Sequence, residues 1–110
     1  MFRENVWMLC MDGACRLVLV EHLSMGSSDM SLVCPREVFG VALRARCNRI
    51  VLGHNHPSGV LRPSMGDYLV TEKLVRGGKL VDVEVMDSLI FSTGGYYSCL
   101  LYTSPSPRDA

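Results

Sequence analysis

The sequence predicts a single α/β domain in which a curved mixed β-sheet is flanked by helices. Short apolar runs alternate with two longer stretches of helical periodicity. No internal repeat or interdomain linker divides the chain, and its 110 residues are enough for one domain with its own core. We therefore expect one mixed sheet and no second domain.

The first half of the chain predicts three strands and a helix. Residues 5–11 and 16–23 are apolar runs separated by Asp12-Gly13, a dipeptide typical of tight hairpin turns. Residues 26–29 predict a loop, and residues 30–33 predict a short third strand. A helix is predicted for residues 35–47, because Pro35 suits the first helical position and apolar residues follow at helical spacing: Val38, Val41, Ala42 and Ala45.

The second half predicts a buried strand, a loop, a helix and three short strands. Residues 49–53 are an apolar run, and the Pro-Ser-Gly sequence at 57–59 breaks it into a loop. The next helix is predicted for residues 64–76, with Gly77-Gly78 as its C-cap. Strands at 81–86, 89–92 and 96–98 complete the domain, with Gly94-Gly95 as a turn.

The residues that carry chemistry lie where the buried strand ends and the second helix begins. His54 and His56 leave the same face of a strand, about 6.6 Å apart along it. Ser64 and Asp67 begin the helix, where they also suit an N-cap and a first-turn acid. Two imidazoles and one carboxylate around zinc leave a position for water, the geometry typical of catalytic sites. Ser64 could then stabilise an oxyanion, a role that does not exclude capping.

These residues resemble a known motif. His54-x-His56, followed after seven residues by Ser64-x-x-Asp67, resembles the JAMM motif of metalloproteases, also called MPN+ or JAB1. The wider string His-Asn-His-Pro-Ser-Gly at 54–59 resembles the RadC branch of that superfamily. The resemblance extends over about residues 4–98 and includes similar residues at 35–39, 83–87 and 96–98.

The resemblance implies a fold, a cofactor and a set of roles. It implies a cytidine-deaminase-like sandwich and one zinc ion held by His54, His56 and Asp67, with water as the fourth ligand. Ser64 would hydrogen-bond the water or the tetrahedral intermediate. The catalytic base would be a glutamate on an early strand, which by position is Glu4. Two other glutamates compete for that role, Glu21 and Glu37, although Glu37 also suits the first turn of a helix.

Three functions remain open at this point. The first is a zinc hydrolase that cleaves a peptide or isopeptide bond in a peptide or protein substrate. The second is a non-catalytic metal-binding or protein-binding module linked to DNA repair or mobile elements. The third is a metal-dependent nuclease, which the literal His-Asn-His string suggests, although HNH nucleases spread their residues over a ββα unit. We expect the first, because all three ligands and the serine are present.

Composition narrows the partners and the compartment. Eleven basic and eleven acidic residues give a net charge of zero, so no strong field favours nucleic acid. No apolar run is long enough for a membrane span, and no signal peptide is evident, so we expect a cytoplasmic protein. The five cysteines include no C-x-x-C pair and are expected to be reduced thiols. The oligomeric state is left open.

The sequence also leads to separate predictions for the two ends of the chain. The resemblance implies that full-length RadC proteins have a helix-hairpin-helix-like segment before this domain, and this sequence shows no such segment. We therefore expect either a stand-alone relative or a sequence that begins at an internal methionine. We expect residues 1–98 to be the domain. Residues 99–110 resemble the translation of a sequencing adapter and are expected to be non-native or disordered, an ordinary Ser/Pro-rich tail being the alternative.

Overall fold

A computed structural model of the protein describes residues 5–23, 30–56, 61–92 and 94–99. These residues form a mixed five-stranded sheet with two α-helices, which confirms the predicted α/β fold class. The strands are β1 (Val6–Met11), β2 (Leu17–Leu23), β3 (Arg49–Asn55), β4 (Glu84–Ser92) and β5 (Gly95–Ser98), and the helices are α1 (Pro35–Arg44) and α2 (Met65–Val81).

The strand order places β3 at the centre of the sheet. Across the sheet the order is β2-β1-β3-β4-β5. β3 and β4 run parallel, and the other neighbouring pairs are antiparallel. β3 therefore has hydrogen-bonded strands on both sides, so the residues at its carboxyl end are held in a fixed position within the sheet.

One face of the sheet packs against the helices and forms the core. Alternate positions of β1 and β3 are buried, as a period of two requires. Leu52 of β3 and Leu74 of α2 are fully buried, and each such side chain stabilises the fold by roughly 1.5–3 kcal/mol. The core includes Val6, Met8, Cys10, Val38, Ala42, Ile50, Leu52, Val70 and Leu74.

The predicted hairpin between the first two strands is confirmed. β1 and β2 pair antiparallel, with Val6 opposite Leu23. In the turn, the carboxylate of Asp12 accepts hydrogen bonds from the backbone N–H groups of Ala14 and Arg16, each at 2.9 Å. The aspartate thus holds its own turn, which is a common role of this residue in loops.

Two predictions between β2 and β3 are wrong. Residues 30–33 do not form a strand, because Met30–Leu32 is a 3-10 helix closed by a hydrogen bond from Val33 N–H to the Met30 carbonyl. The α1 helix ends at Arg44 instead of residue 47, since Arg46 has a positive φ of 55°. The bonds from Cys47 N–H to Ala42 O and from Arg46 N–H to Leu43 O are those of a Schellman motif. The predicted loop at 26–29 lies outside the described residues.

The predicted C-cap of the second helix is also wrong. α2 continues through Gly77 and Gly78 to Val81, and Asp82, with φ of 59°, is its left-handed cap. The glycines serve packing, because a Cβ at Gly78 would lie 2.1 Å from the carbonyl oxygen of Val83. Only a residue without a side chain allows the backbone to approach so closely.

The strands predicted at 81–86 and 89–92 are one strand. β4 runs without a break from Glu84 to Ser92, with a register irregularity opposite Ile50 and Val51. Asp87 remains in the strand because its carboxylate accepts hydrogen bonds from the Ser98 hydroxyl of β5 at 2.7 and 2.8 Å. The final predicted strand is confirmed as β5, one residue longer than expected.

In the part of the chain that the structure describes, no helix is both long enough and apolar enough to cross a lipid bilayer.

Candidate metal centre

His54 and His56 are positioned by the carboxyl end of β3. His54 is the sixth residue of the strand and pairs with Val6 on one side and Ile90 on the other. Its side chain faces the core and has no exposed surface. His56 follows the last strand residue, and its side chain is 15% exposed. The site is therefore reached from the His56 side.

Asp67 is positioned by the first turn of α2. The Ser64 hydroxyl accepts a hydrogen bond from Asp67 N–H at 3.1 Å, and Asp67 Oδ2 accepts one from Ser64 N–H at 2.9 Å. This reciprocal pair is a capping box, with aspartate in place of the more usual glutamate. The Thr71 hydroxyl, one turn later, donates to the Asp67 carbonyl at 2.8 Å. The carboxylate is thus fixed at a helix N-terminus, which favours its negative charge.

The three side chains converge on one point. His54 Nε2 lies 3.3 Å from His56 Nε2 and 3.6 Å from Asp67 Oδ1, and His56 Nε2 lies 3.2 Å from Asp67 Oδ2. Among the described residues these three form a group that could hold a metal ion, with ligand atoms all within 4.8 Å of one another. The loop at 57–60, between the strand and the helix, lies outside the described residues.

The donor spacing fits a tetrahedral cation. Ligand bonds of about 2.05 Å at the tetrahedral angle separate two donor atoms by about 3.3 Å, the value expected for zinc with nitrogen and oxygen ligands. The two ring nitrogens lie 3.3 Å apart, and each lies 3.2 or 3.6 Å from a different oxygen of the Asp67 carboxylate, which is close to that value. Two imidazoles and a carboxylate are also a ligand set that zinc accepts. The residues present therefore fit the cation that the motif implies.

The electrostatics of Asp67 favour its ionised form. Burial opposes ionisation, but the hydrogen bond from His54, the Ser64 N–H group and the facing imidazoles outweigh it, so the pKa falls from 3.8 to about 2. The carboxylate is therefore charged at neutral pH and available as a ligand. A deprotonated ligand is what a divalent cation requires.

Two of the buried thiols, those of Cys10 and Cys99, are unsuited to nucleophilic catalysis. Burial raises the pKa of Cys10 to about 12, with a further contribution from Cys47. Burial and the negative charges of Asp67 and Asp87 raise the pKa of Cys99 to about 12 as well. Because the thiolate is the reactive form, neither side chain is activated at neutral pH.

The remaining predicted site residues have different outcomes. Ser64 stands next to Asp67 and caps α2. Glu4 lies outside the described residues. Of the two competing glutamates, Glu37 lies in the first turn of α1 and Glu21 lies on the edge strand β2. Neither belongs to the group of potential metal ligands found among the described residues.

The structural role of Asn55, the residue between the two histidines, could not be predicted from the sequence. Its side-chain oxygen accepts a hydrogen bond from Asn5 N–H at 2.6 Å, which extends the pairing of β1 and β3 beyond Val6. No pattern in the sequence distinguishes an asparagine with this partner from a spacer between two ligands. The reciprocal bond from Ser64 N–H to Asp67 was likewise not predicted.

The class of protein follows from the mixed sheet and from the group of two histidines and one aspartate beside a helix N-terminus: an α/β domain with a candidate metal centre. A family model described as the RadC-like JAB domain matches residues 1–102, and the chain belongs to that family. The match includes the first residues of the segment from 99 onwards. The JAB assignment agrees with the resemblance drawn from the histidine motif.

Curated relatives carry the same domain. A UPF0758 protein of Thermotoga maritima is 41% identical over 96 residues, which cover 87% of this chain and 43% of the relative. A UPF0758 protein of Methanosarcina barkeri is 43% identical over 96 residues, covering 87% of this chain and 42% of the relative. One of Alkaliphilus metalliredigens is 45% identical over 82 residues, 74% of this chain and 35% of the relative. The chain thus spans roughly two fifths of the length of these relatives.

Proposed function

We propose that this domain is a zinc-dependent hydrolase of the JAMM type that cleaves a peptide or isopeptide bond in a peptide or protein substrate. The observation that carries the proposal is the convergence of two imidazole nitrogens and one carboxylate, whose ligand atoms all lie within 4.8 Å of one another. His54, His56 and Asp67 would hold one zinc ion. When bound, zinc supplies a Lewis acid and lowers the pKa of water enough for nucleophilic attack near neutral pH.

The burial of the ligands supports a catalytic rather than a structural site. His54 and Asp67 are almost fully enclosed, with side chains 0% and 3% exposed, whereas His56 keeps an open side. Three protein ligands with one accessible side leave room for a water molecule and a substrate carbonyl, whereas structural zinc sites have four protein ligands. The dry interior around His54 would strengthen electrostatic interactions with the reacting groups.

Ser64 has a second role in this proposal. Its hydroxyl oxygen accepts the hydrogen bond from Asp67 N–H, which leaves the O–H group itself free to donate. Directed into the site, that O–H group would stabilise the negative charge that develops on the carbonyl oxygen during attack. Capping and catalysis therefore use different parts of the same hydroxyl group.

A base completes the reaction. Glu4 is proposed to take a proton from the attacking water and to deliver it to the leaving amine, which a carboxylate near a cation can do. The water oxygen first forms its bond to the carbonyl carbon, and the bond from that carbon to nitrogen breaks once the nitrogen has received the proton. The identity of the peptide depends on the loops around the site, and the fold does not determine it.

A hydrolysis assay tests the proposal. The full chain, loaded with one equivalent of zinc, is incubated with a peptide library and with isopeptide-linked peptides, and products are identified by mass spectrometry. We expect the parent to cleave at least one of these substrates. The variants Asp67→Asn and Glu4→Gln should show no cleavage. The matched variant Asp82→Asn, which lies at the exposed end of the same helix and favours its left-handed conformation, should cleave like the parent.

The opposite result has a clear meaning. A folded, zinc-loaded parent that cleaves none of these substrates would contradict the hydrolase proposal and favour the binding-module alternative. Cleavage that persists in Asp67→Asn would also contradict it, because the reaction would then not depend on the proposed ligands.

A further inference from the structure

The residue between the two proposed ligands holds the neighbouring strand. Side chains alternate along a strand, so Asn55 points away from the face that carries His54 and His56. Its Oδ1 atom accepts a hydrogen bond from Asn5 N–H at 2.6 Å, and its own N–H donates to the Asn5 carbonyl oxygen at 3.3 Å. Asn55 therefore satisfies both backbone polar groups of Asn5.

The connection continues to a third strand. The side-chain oxygen of Asn5 accepts a hydrogen bond from His22 Nε2 at 3.1 Å. His22 lies on β2, and its ring packs near the indole of Trp7, with centroids 5.6 Å apart. A line of hydrogen bonds thus runs from β3 through Asn5 to β2, at the end of the sheet where the metal centre lies. We call these three residues, Asn55, Asn5 and His22, the asparagine bridge.

The asparagine bridge acts where the ligand set is least supported by the sheet. His54 lies inside β3 and is held by strands on both sides, but His56 lies one residue past the end of the strand. The direction in which the chain leaves β3 decides where the His56 ring falls. Fixing Asn55 at this point limits that direction, in the way that outer-shell hydrogen bonds orient metal ligands.

We propose that Asn55 is a positioning residue for the metal centre: by anchoring Asn5 through the asparagine bridge, it orients His56 toward His54 and Asp67. This inference rests on the proposed metal-dependent function. Asn55 itself touches neither the metal nor the substrate in this role.

The affinity for zinc tests the inference without any substrate. The zinc dissociation constant of the full chain is measured by competition with a chromophoric chelator, in the parent and in Asn55→Ala. We expect the constant to rise about tenfold or more, the usual effect of removing an outer-shell partner of a metal ligand. Hydrogen exchange followed by mass spectrometry should show faster exchange in peptides that contain Asn5.

Asn48→Ala is the matched control. Asn48 directly precedes β3, at the end far from the metal centre, and it too joins β1 through a backbone bond, from its N–H to Met11 O. Asn48→Ala keeps that backbone bond and removes the same side-chain atoms, so it controls for the loss of an asparagine side chain at the other end of β3. We expect the zinc dissociation constant of Asn48→Ala to stay within about twofold of the parent, since it supports no ligand.

A second variant keeps the test valid should Asn55→Ala fail to fold. His22→Phe retains a ring beside Trp7 but removes the hydrogen bond to Asn5. We expect weaker zinc binding, by a smaller factor than in Asn55→Ala, together with faster exchange at Asn5.

Two outcomes overturn the inference while leaving the proposed function intact. One is a parent that binds zinc while Asn55→Ala binds it as tightly as Asn48→Ala. The other outcome concerns the case in which Asn55→Ala does not fold. In that case, a His22→Phe variant that binds zinc as tightly as the parent overturns the inference. A folded parent that takes up no zinc contradicts the proposed function itself.

Discussion

The free energy of unfolding of the metal-free protein should depend on pH over a defined interval, because Asp67 is ionised in the folded state. Its pKa falls from 3.8 to about 2 on folding. One pKa unit corresponds to about 1.4 kcal/mol, so ionisation of Asp67 contributes about 2.5 kcal/mol to the free energy of unfolding at neutral pH. The side chain is only 3% exposed, so solvent screening does not remove this contribution.

The sign follows from the direction of the shift. Because the folded state holds the carboxylate at a lower pKa than the unfolded chain, the stabilisation is complete above pH 3.8 and is lost as the pH falls through about 2. Asp67→Asn, which keeps the shape and still offers an oxygen to Ser64 N–H, lacks this dependence. The difference in unfolding free energy between parent and variant should therefore shrink by about 2 kcal/mol between pH 5 and pH 2.

Urea unfolding followed by the fluorescence of Trp7 measures this difference. The protein is first freed of metal, and both chains are unfolded at intervals of half a pH unit. Other carboxylates titrate in both chains and cancel in the comparison. A difference that stays constant from pH 5 to pH 2 would refute the reasoning, since Asp67 would then ionise alike in the folded and unfolded states.

Further substitutions test the helices and the sheet by the same unfolding assay. Ser64→Ala should cost about 1 kcal/mol by loss of the N-cap, while Ser64→Asn, which can also cap, should retain most of the stability. Gly78→Ala should destabilise by about 1–3 kcal/mol because its Cβ would meet a backbone carbonyl, whereas Gly40→Ala, with nothing within 4 Å, should stabilise α1 by roughly 0.5–1 kcal/mol. Ser98→Ala should cost about 1.5–3 kcal/mol, since the carboxylate of Asp87 loses a hydroxyl donor. An effect of opposite sign at any of these positions would contradict the packing described here.

The candidate site could be predicted from sequence where the signal is local. The alternation of His54 and His56 follows from strand geometry alone, and Ser64-x-x-Asp67 marks a helix start by its own chemistry. Each pair is placed by its own element. That the two elements face one another followed from the family resemblance, because spacing alone does not determine how a loop folds back.

The errors in the predicted fold come from contacts between distant parts of the chain. Gly77-Gly78 is typical of a helix end, but the reason for Gly78 is the nearby backbone of Val83, which no local pattern reveals. Asp87-Ser88 is polar and suggests a break, yet Ser98 supplies the hydrogen bonds that keep Asp87 in the strand. Tertiary contacts override local preference in both cases.

The predicted end of α1 is wrong for a related reason. A left-handed residue after a helix is usually glycine, so an arginine there gives no stop signal. The asparagine bridge was likewise not predictable, because its partners are 50 and 17 residues apart along the chain. Residues that hold a site in place are harder to identify from sequence than residues that perform its chemistry.

The most direct test of the metal centre is the zinc content of the purified full chain, measured by mass spectrometry after preparation without a metal-binding tag. We predict close to one zinc per chain, lost in Asp67→Asn and in His56→Ala and retained in Asp82→Asn. A folded parent that takes up no zinc when zinc is supplied, or one that retains it fully in Asp67→Asn, would contradict the assignment of His54, His56 and Asp67 as ligands.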